Sequence, residues 1–391
     1  MMRSPSPRGQ GLLPVADEAM MNIVSQANPD GYFEVALMFA RTCNISCRHC
    51  GIESSPYNKE RMSLDEARSY IVDAATIPKF RKVTFTGGEP FLFQREHLDL
   101  LALCKDLGLS TRIVTNGFWA ADKYEGRKIL GMMKEAGLGE LNFSADKFHL
   151  EFQDASTLRN GLDIARELGF TRIVSFVSSE NEPPLDALSR MYGLSREDML
   201  DLRPLMSDMT KVEQLKDRYI FVFSGGLIGM GRGASCSGEL RFVPFEYFPD
   251  LDPCGEVLNK PVIYPNGDLQ ACCCAGGKVG TFTVGNAKRE PLEELFRRMQ
   301  MRSQFRFINA YGPKELFRIV SQARPDIARP SAFTSICELC VRAADHMTAT
   351  EIDKVVDDAL IARTLVSFGL VNVEPMNNKI SSPSFCILPQ A

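Results

Sequence analysis

The sequence predicts an α/β protein: a parallel sheet of six βα units forming a partial barrel, followed by a smaller cysteine-rich region. Three observations lead there. Short apolar or β-branched runs alternate with amphipathic helical stretches from residue 34 to residue 226. Such alternation implies parallel strands joined by right-handed crossovers, and six units fall short of the eight that close a barrel. The residues with chemical capability gather in the segments just after the runs, where barrels of this kind carry their function.

Taken in order, "EVALMFA" (34–40) reads as a buried strand, and Ser63 with Glu66 forms a capping box that starts a helix. "KVTFT" (82–86) is the second strand, and "HLDLLALCKDLG" (97–108) is a helix that stops at glycine. "TRIVTNG" (111–117) is a strand with a turn, and "RKILGMMKEAG" is the helix before strand "LNFSA" (141–145). "STLRNGLDIARELG" is the helix before "RIVSFVS" (172–178). A proline-interrupted helical region spans about 183–210, and "YIFVFSGG" (219–226) is the sixth strand. Beyond 235, "VIYPNGDLQACCC" (262–274) predicts a hairpin that turns on Asn266-Gly267. Helices follow to about 323, then a Cys337-x-x-Cys340 pair and one more helix. The expected division is a flexible segment over 1–33, the barrel over 34–234, the cysteine-rich domain over 235–345, and a helix and tail over 346–391.

The chain has 391 residues, 45% hydrophobic and 24% charged, with a formal net charge of −4. That balance gives no electrostatic reason to expect nucleic acid. No run reaches the roughly 18 apolar residues of a membrane span. The first residues lack the apolar core of a secretory signal, so the expected location is the cytoplasm. There, twelve cysteines point to metal binding or chemistry rather than disulfides.

Cys43, Cys47 and Cys50 fall within "RTCNISCRHC". Three thiolates on one compact loop suit an iron–sulfur cluster with one iron left open. A zinc ion completed by His49 is the competing assignment. "TGGEP" (86–90) follows the second strand; its glycines allow close backbone approach and Glu89 is an acceptor for a cation. Asn116, Ser144, Asp146 and His149 follow the third and fourth strands.

This combination resembles the radical S-adenosylmethionine (SAM) superfamily, whose signature is CxxxCxxC after the first strand of a partial (β/α)6 TIM-like barrel. The resemblance implies that Cys43, Cys47 and Cys50 hold a [4Fe–4S] cluster whose open iron chelates SAM. It implies SAM contacts from His49, in the place of the usual aromatic, and from Gly87, Gly88, Glu89, Asn116, Ser144 and Asp146.

Cys254, Cys272, Cys337 and Cys340 form a second possible site, which on spacing alone suits a zinc ribbon as well as a cluster. Gly267-x4-Cys272 and the later Gly285-Asn286 resemble the auxiliary domains called SPASM and twitch. That resemblance implies a twitch-like domain with one auxiliary [4Fe–4S] cluster, with Cys273 and Cys274 as alternatives to Cys272. The expected function is a radical SAM enzyme that modifies a ribosomally made precursor peptide by a crosslink, thioether or epimerisation. The alternative is a small-molecule dehydrogenase. Either would draw electrons from a donor such as flavodoxin or ferredoxin.

Overall fold

The computed structural model describes residues 33–178, 182–206, 208–272 and 280–367. Cys273, Cys274, Cys386 and nearly all of the expected N-terminal segment lie outside them. β1 (Phe33–Ala40), β2 (Phe80–Gly87), β3 (Ser110–Thr115), β4 (Glu140–Ala145) and β5 (Arg172–Ser178) pair in parallel in that order. β6 (Met199–Asp201) is a three-residue strand on the outer side of β7 (Ile220–Gly226), and β7 pairs with β5. The six expected strands are all present, so the partial barrel is the fold.

β1 shows why the pattern was readable. All its residues after Phe33 are buried, as expected of a parallel strand covered on both faces. Its one charge, Glu34, lies 3.3 Å from the Arg112 guanidinium. Helices occupy the crossovers. The first, Leu64–Ala75, opens on the expected capping box: Ser63 Oγ accepts from Glu66 N at 3.1 Å, and Glu66 Oε2 accepts from Ser63 N at 2.8 Å. The region read as proline-interrupted helix differs. Helix Pro184–Tyr192 ends on Gly193 at φ +62°, and the chain then extends into β6.

After β7 come β8 (Val243–Pro244), β9 (Val262–Ile263), β10 (Asp268–Gln270), β11 (Thr283–Asn286) and β12 (Ala332–Phe333). β9 and β10 form the expected hairpin. Gly267 holds φ +91° in its turn, and Asn286 braces that turn by donating to Asn266 O at 3.0 Å and Asp268 Oδ1 at 2.8 Å. β9 pairs in parallel with β1, Ala36 against Val262. The cysteine-rich region therefore continues the barrel sheet, in the order β11-β10-β9-β1-β2-β3-β4-β5-β7-β6. Helices Leu292–Met301, Ser303–Tyr311 and Pro313–Ala323 pack beside it. The last helix, Ala349–Ser367, is fastened to them: Asp353 accepts from Gln304 N at 2.8 Å and Arg302 Nε at 3.0 Å.

Candidate active site

The site forms where β1 to β4 end. Gly88 N donates to Ala40 O at 2.7 Å and Glu89 N to Thr42 O at 2.9 Å, tying the segment after β2 to the start of the three-cysteine loop. A Cβ on Gly88 would sit 1.9 Å from Thr42 O, so only glycine permits this approach. Gly87, at φ +124°, would meet Ala40 O at 2.3 Å. The glycines are needed first of all to bring two loops together.

Glu89 serves the same junction. It is 1% exposed. Its Oε1 accepts from Phe91 N at 3.1 Å and Thr115 Oγ1 at 2.8 Å, and its Oε2 accepts from Asn116 N at 2.8 Å. Burial pushes this carboxyl up to about 7, against the pull of those three donors. Both oxygens are therefore engaged within the chain, and Glu89 clamps β2 to β3.

A cavity of about 250 Å³ opens beside it. Its walls include all three cysteines, His49, Gly87, Gly88, Asn116 and Ser144 of the expected residues, with Ser54 and Arg232 added. Glu89 and Asp146 stand behind this lining. Nitrogen donors face two of the sulfurs. Ser54 N lies 3.4 Å from Cys50 Sγ, and Asn116 Nδ2 lies 3.7 Å from Cys43 Sγ and 2.8 Å from Asn44 Oδ1. N–H groups directed at sulfur are the usual surroundings of a metal-bound thiolate. Burial pushes the Cys43 thiol up to about 12, so it ionises at neutral pH only when a cation compensates it. Two further polar atoms, Ser54 Oγ and His49 Nδ1, are buried without a hydrogen-bond partner.

Asp146 caps the short helix Lys147–Leu150 by accepting from Phe148 N at 2.9 Å and His149 N at 3.1 Å. The same carboxylate takes His149 Nδ1 at 2.8 Å and approaches His49 Nε2 at 3.3 Å. Burial opposes charge on His149, but the Asp146 carboxylate and then Cys47 hold the imidazole up to about 10. With Asp146 satisfied by His149, burial keeps His49 below its ordinary range. The His49 ring stacks on Phe148, centroids 4.6 Å apart.

Arg232 is the residue that sequence reading passed over. It belongs to "GMGRGA" (229–234), a segment whose sequence resembles the GRA-like turn between barrel and auxiliary domain in radical SAM enzymes and which singled out no residue as functional. The glycines were the available signal. A Cβ on Gly231 would lie 2.3 Å from Gly51 O, so the turn sits directly on the three-cysteine loop.

In the second cysteine set, the fully buried Cys340 thiol is pushed well above its ordinary range by burial and then by its neighbours Cys254 and Cys272. Cys337 precedes Cys340 by three residues in helix Ile336–Ala344, on the same face. The intervening helices hold the Cys254 segment in place. Cys254 N donates to Ile308 O at 3.2 Å, Asn309 Nδ2 donates to Cys254 O at 2.9 Å, and Gly312, at φ +88°, would meet Asp252 O at 2.2 Å if it carried a Cβ. A larger cavity of about 580 Å³ is walled by Gly51 and the 229–234 turn on one side. Thr281 and residues 341 and 344–349 also line it, so a residue next to Cys50 (Gly51) and one next to Cys340 (Val341) share it.

Among the described residues the one group of three or more potential ligands within 4.8 Å of each other is His49, Asp146 and His149.

Residues 37–179 match the radical SAM superfamily, and residues 254–324 match SPASM, an iron–sulfur cluster-binding domain. YydG of Bacillus subtilis (strain 168), named for peptide biosynthesis, is 29% identical over 133 residues, 34% of this chain and 42% of that protein. A GTP 3′,8-cyclase of Desulforamulus reducens (strain ATCC BAA-1160 / DSM 100696 / MI-1) is 29% identical over 136 residues, 32% and 38% of the two chains. The chain thus spans about two fifths of the length of these curated relatives. The structure of Streptococcus suis SuiB bound to precursor peptide SuiA aligns over 86% of this chain and 84% of that one, with 15% identity and a TM-score of 0.40. Among the described residues no helix is long and apolar enough to cross a membrane.

Proposed function

We propose that the chain is a radical SAM enzyme, since residues 37–179 match that superfamily and residues 254–324 match SPASM, and that it modifies a ribosomally synthesised peptide by abstracting a hydrogen atom from it. One observation carries the reading: Gly51, next to Cys50 of the three-cysteine set, and Val341, next to Cys340 of the second set, line the same 580 Å³ cavity. When bound, the cluster at the first set supplies the electron that cleaves SAM to methionine and a 5′-deoxyadenosyl radical.

In this reading Cys43, Cys47 and Cys50 hold the catalytic cluster, and Cys254, Cys272, Cys337 and Cys340 hold the auxiliary one. Gly87, Gly88, Asn116, Ser144 and His49, which line the 250 Å³ cavity, would hold SAM there. Glu89 and Asp146 work from behind the wall: Glu89 fixes the glycines relative to Thr115 and Asn116, and Asp146 fixes the two imidazoles. Residues 34–234 form the catalytic unit and 235–345 the auxiliary unit, followed by a C-terminal helix and tail. A cluster at the auxiliary site would be able to accept the electron left after bond formation, and a cytoplasmic flavodoxin or ferredoxin would be the donor to the first.

The name of YydG and the presence of a SPASM domain favour a peptide substrate. A GTP 3′,8-cyclase is similar to this chain to the same degree, which leaves a small molecule as the second reading. The test is anaerobic reconstitution, then incubation with SAM, reductant and candidate precursor peptides. The expected result is 5′-deoxyadenosine together with a mass change in the peptide, both absent from Cys43→Ala. Colourless protein that holds zinc and no iron would sink the reading.

A further inference from the structure

The turn after β7 reaches the three-cysteine loop at four points. Arg232 N donates to Cys50 O at 3.1 Å, Arg232 Nε to Cys47 O at 3.0 Å, and Arg232 Nη2 to Ser54 O at 2.7 Å. Cys236 Sγ, four residues on, lies 3.4 Å from Arg48 O. Gly231, at φ +54°, makes the approach possible, since a Cβ there would lie 2.3 Å from Gly51 O. One guanidinium thus spans the Cys47–Ser54 turn from its first carbonyl to its last.

Ser54 connects that span to a sulfur. Its carbonyl accepts from Arg232, and its own N–H points at Cys50 Sγ, 3.4 Å away. Ser54 is 4% exposed, so its orientation is set by these bonds and not by water. An N–H donated to a cluster-ligating sulfur stabilises the reduced, more negative state and raises the reduction potential.

We propose that Arg232 is a positioning residue for the catalytic cluster: it holds the Cys47–Ser54 turn so that the Ser54 N–H bonds the Cys50 sulfur. The inference rests on the reading that Cys43, Cys47 and Cys50 hold that cluster. It makes the segment joining the barrel to the auxiliary region part of the catalytic centre's support. Arg232 N, Nε and Nη2 all donate to the three-cysteine loop.

The test compares reconstituted wild type, Arg232→Met, Arg232→Lys and Cys43→Ala by iron content, thermal unfolding and an EPR-monitored redox titration of the cluster whose signal SAM perturbs. In Arg232→Met that cluster should show a roughly tenfold smaller ratio of reduced to oxidised cluster at a fixed potential, equal to a downward shift of about 59 mV for a one-electron couple. Arg232→Lys, with one ammonium to place between two carbonyls, should fall between Met and wild type. Selective loss of the SAM-responsive cluster from Arg232→Met, with the auxiliary cluster and unfolding temperature kept, also supports the role. An unchanged potential in a fully loaded Arg232→Met protein overturns it. So does joint loss of both clusters with a lowered unfolding temperature in both Arg232 variants, which would mark a general structural residue. If wild type and Cys43→Ala have the same SAM-responsive signal, the cluster assignment itself has failed.

Discussion

The two cysteine regions reach the same end by different routes. In the barrel, three cysteines lie on one loop, and the rest of the chain converges to hold it: Gly88 against Thr42, Gly231 against Gly51, Arg232 across the turn. In the second region the cysteines come from distant segments, and helices between them set the spacing, with Asn309 and Gly312 against the Cys254 segment. In both, a glycine presses on a backbone carbonyl whose residue lies within two positions of a cysteine: Gly88 on Thr42 O beside Cys43, Gly312 on Asp252 O near Cys254. A local motif is thus braced by distant elements, while a dispersed set is assembled by its own domain. Damage to one site should spare the other.

The largest test of that separation is removal of single ligands. Cys43→Ala should abolish 5′-deoxyadenosine formation, read by liquid chromatography and mass spectrometry, and should lower iron by roughly four per chain. Cys340→Ala should lose a similar amount of iron yet still cleave SAM, with no modified substrate formed. If Cys340→Ala also stops SAM cleavage, the two regions are not independent. Next come the glycines. Gly88→Ala and Gly312→Ala should each cost about 3 kcal/mol in urea unfolding, and each should deplete only the cluster beside it. Loss of both clusters from either variant breaks the comparison.

Glu89 has a smaller and pH-dependent effect. Its folded carboxyl is raised from an ordinary 4.5 to about 7, so the native state holds that proton more tightly than the unfolded chain does. Its contribution is therefore most favourable below pH 4.5 and is lost as pH rises through about 7. Urea midpoints of the wild type should fall across that window, and Glu89→Gln should flatten part of the fall. Glu89→Ala leaves three donors unpaired and should cost about 2 kcal/mol. The smallest expected change is at Ser63→Ala, which removes a helix cap for about 1 kcal/mol and should leave both clusters intact.

The barrel was legible because its strands are local patterns: β-branched runs, glycine stops and a capping box each announce themselves within a dozen residues. So was the content of the first site, since CxxxCxxC and GGE are contiguous. The uses of the residues were less legible. Sequence reading set Glu89 and Asp146 facing the cofactor and missed their partners within the chain, Thr115 and Asn116 for the first, His49 and His149 for the second. A carboxylate's partners depend on which loops meet it, and spacing does not encode that. Arg232 was hidden for the same reason, its partners lying far away in sequence. β6 was lost inside a helical stretch because three residues carry too little pattern to show. The pairing of β9 with β1 joins segments more than two hundred residues apart.

That pairing also has a consequence for how the chain behaves among its own copies. β1 has eight residues, seven of them buried, and without β9 its outer backbone groups would be an open template for any passing strand. With the hairpin in place, the described sheet ends instead on β11, four residues long, and β6, only three. Both are too short to recruit a neighbour well. The cysteine-rich region therefore guards against self-association as well as serving chemistry, and a chain cut before β9 should precipitate rather than fold into a smaller barrel.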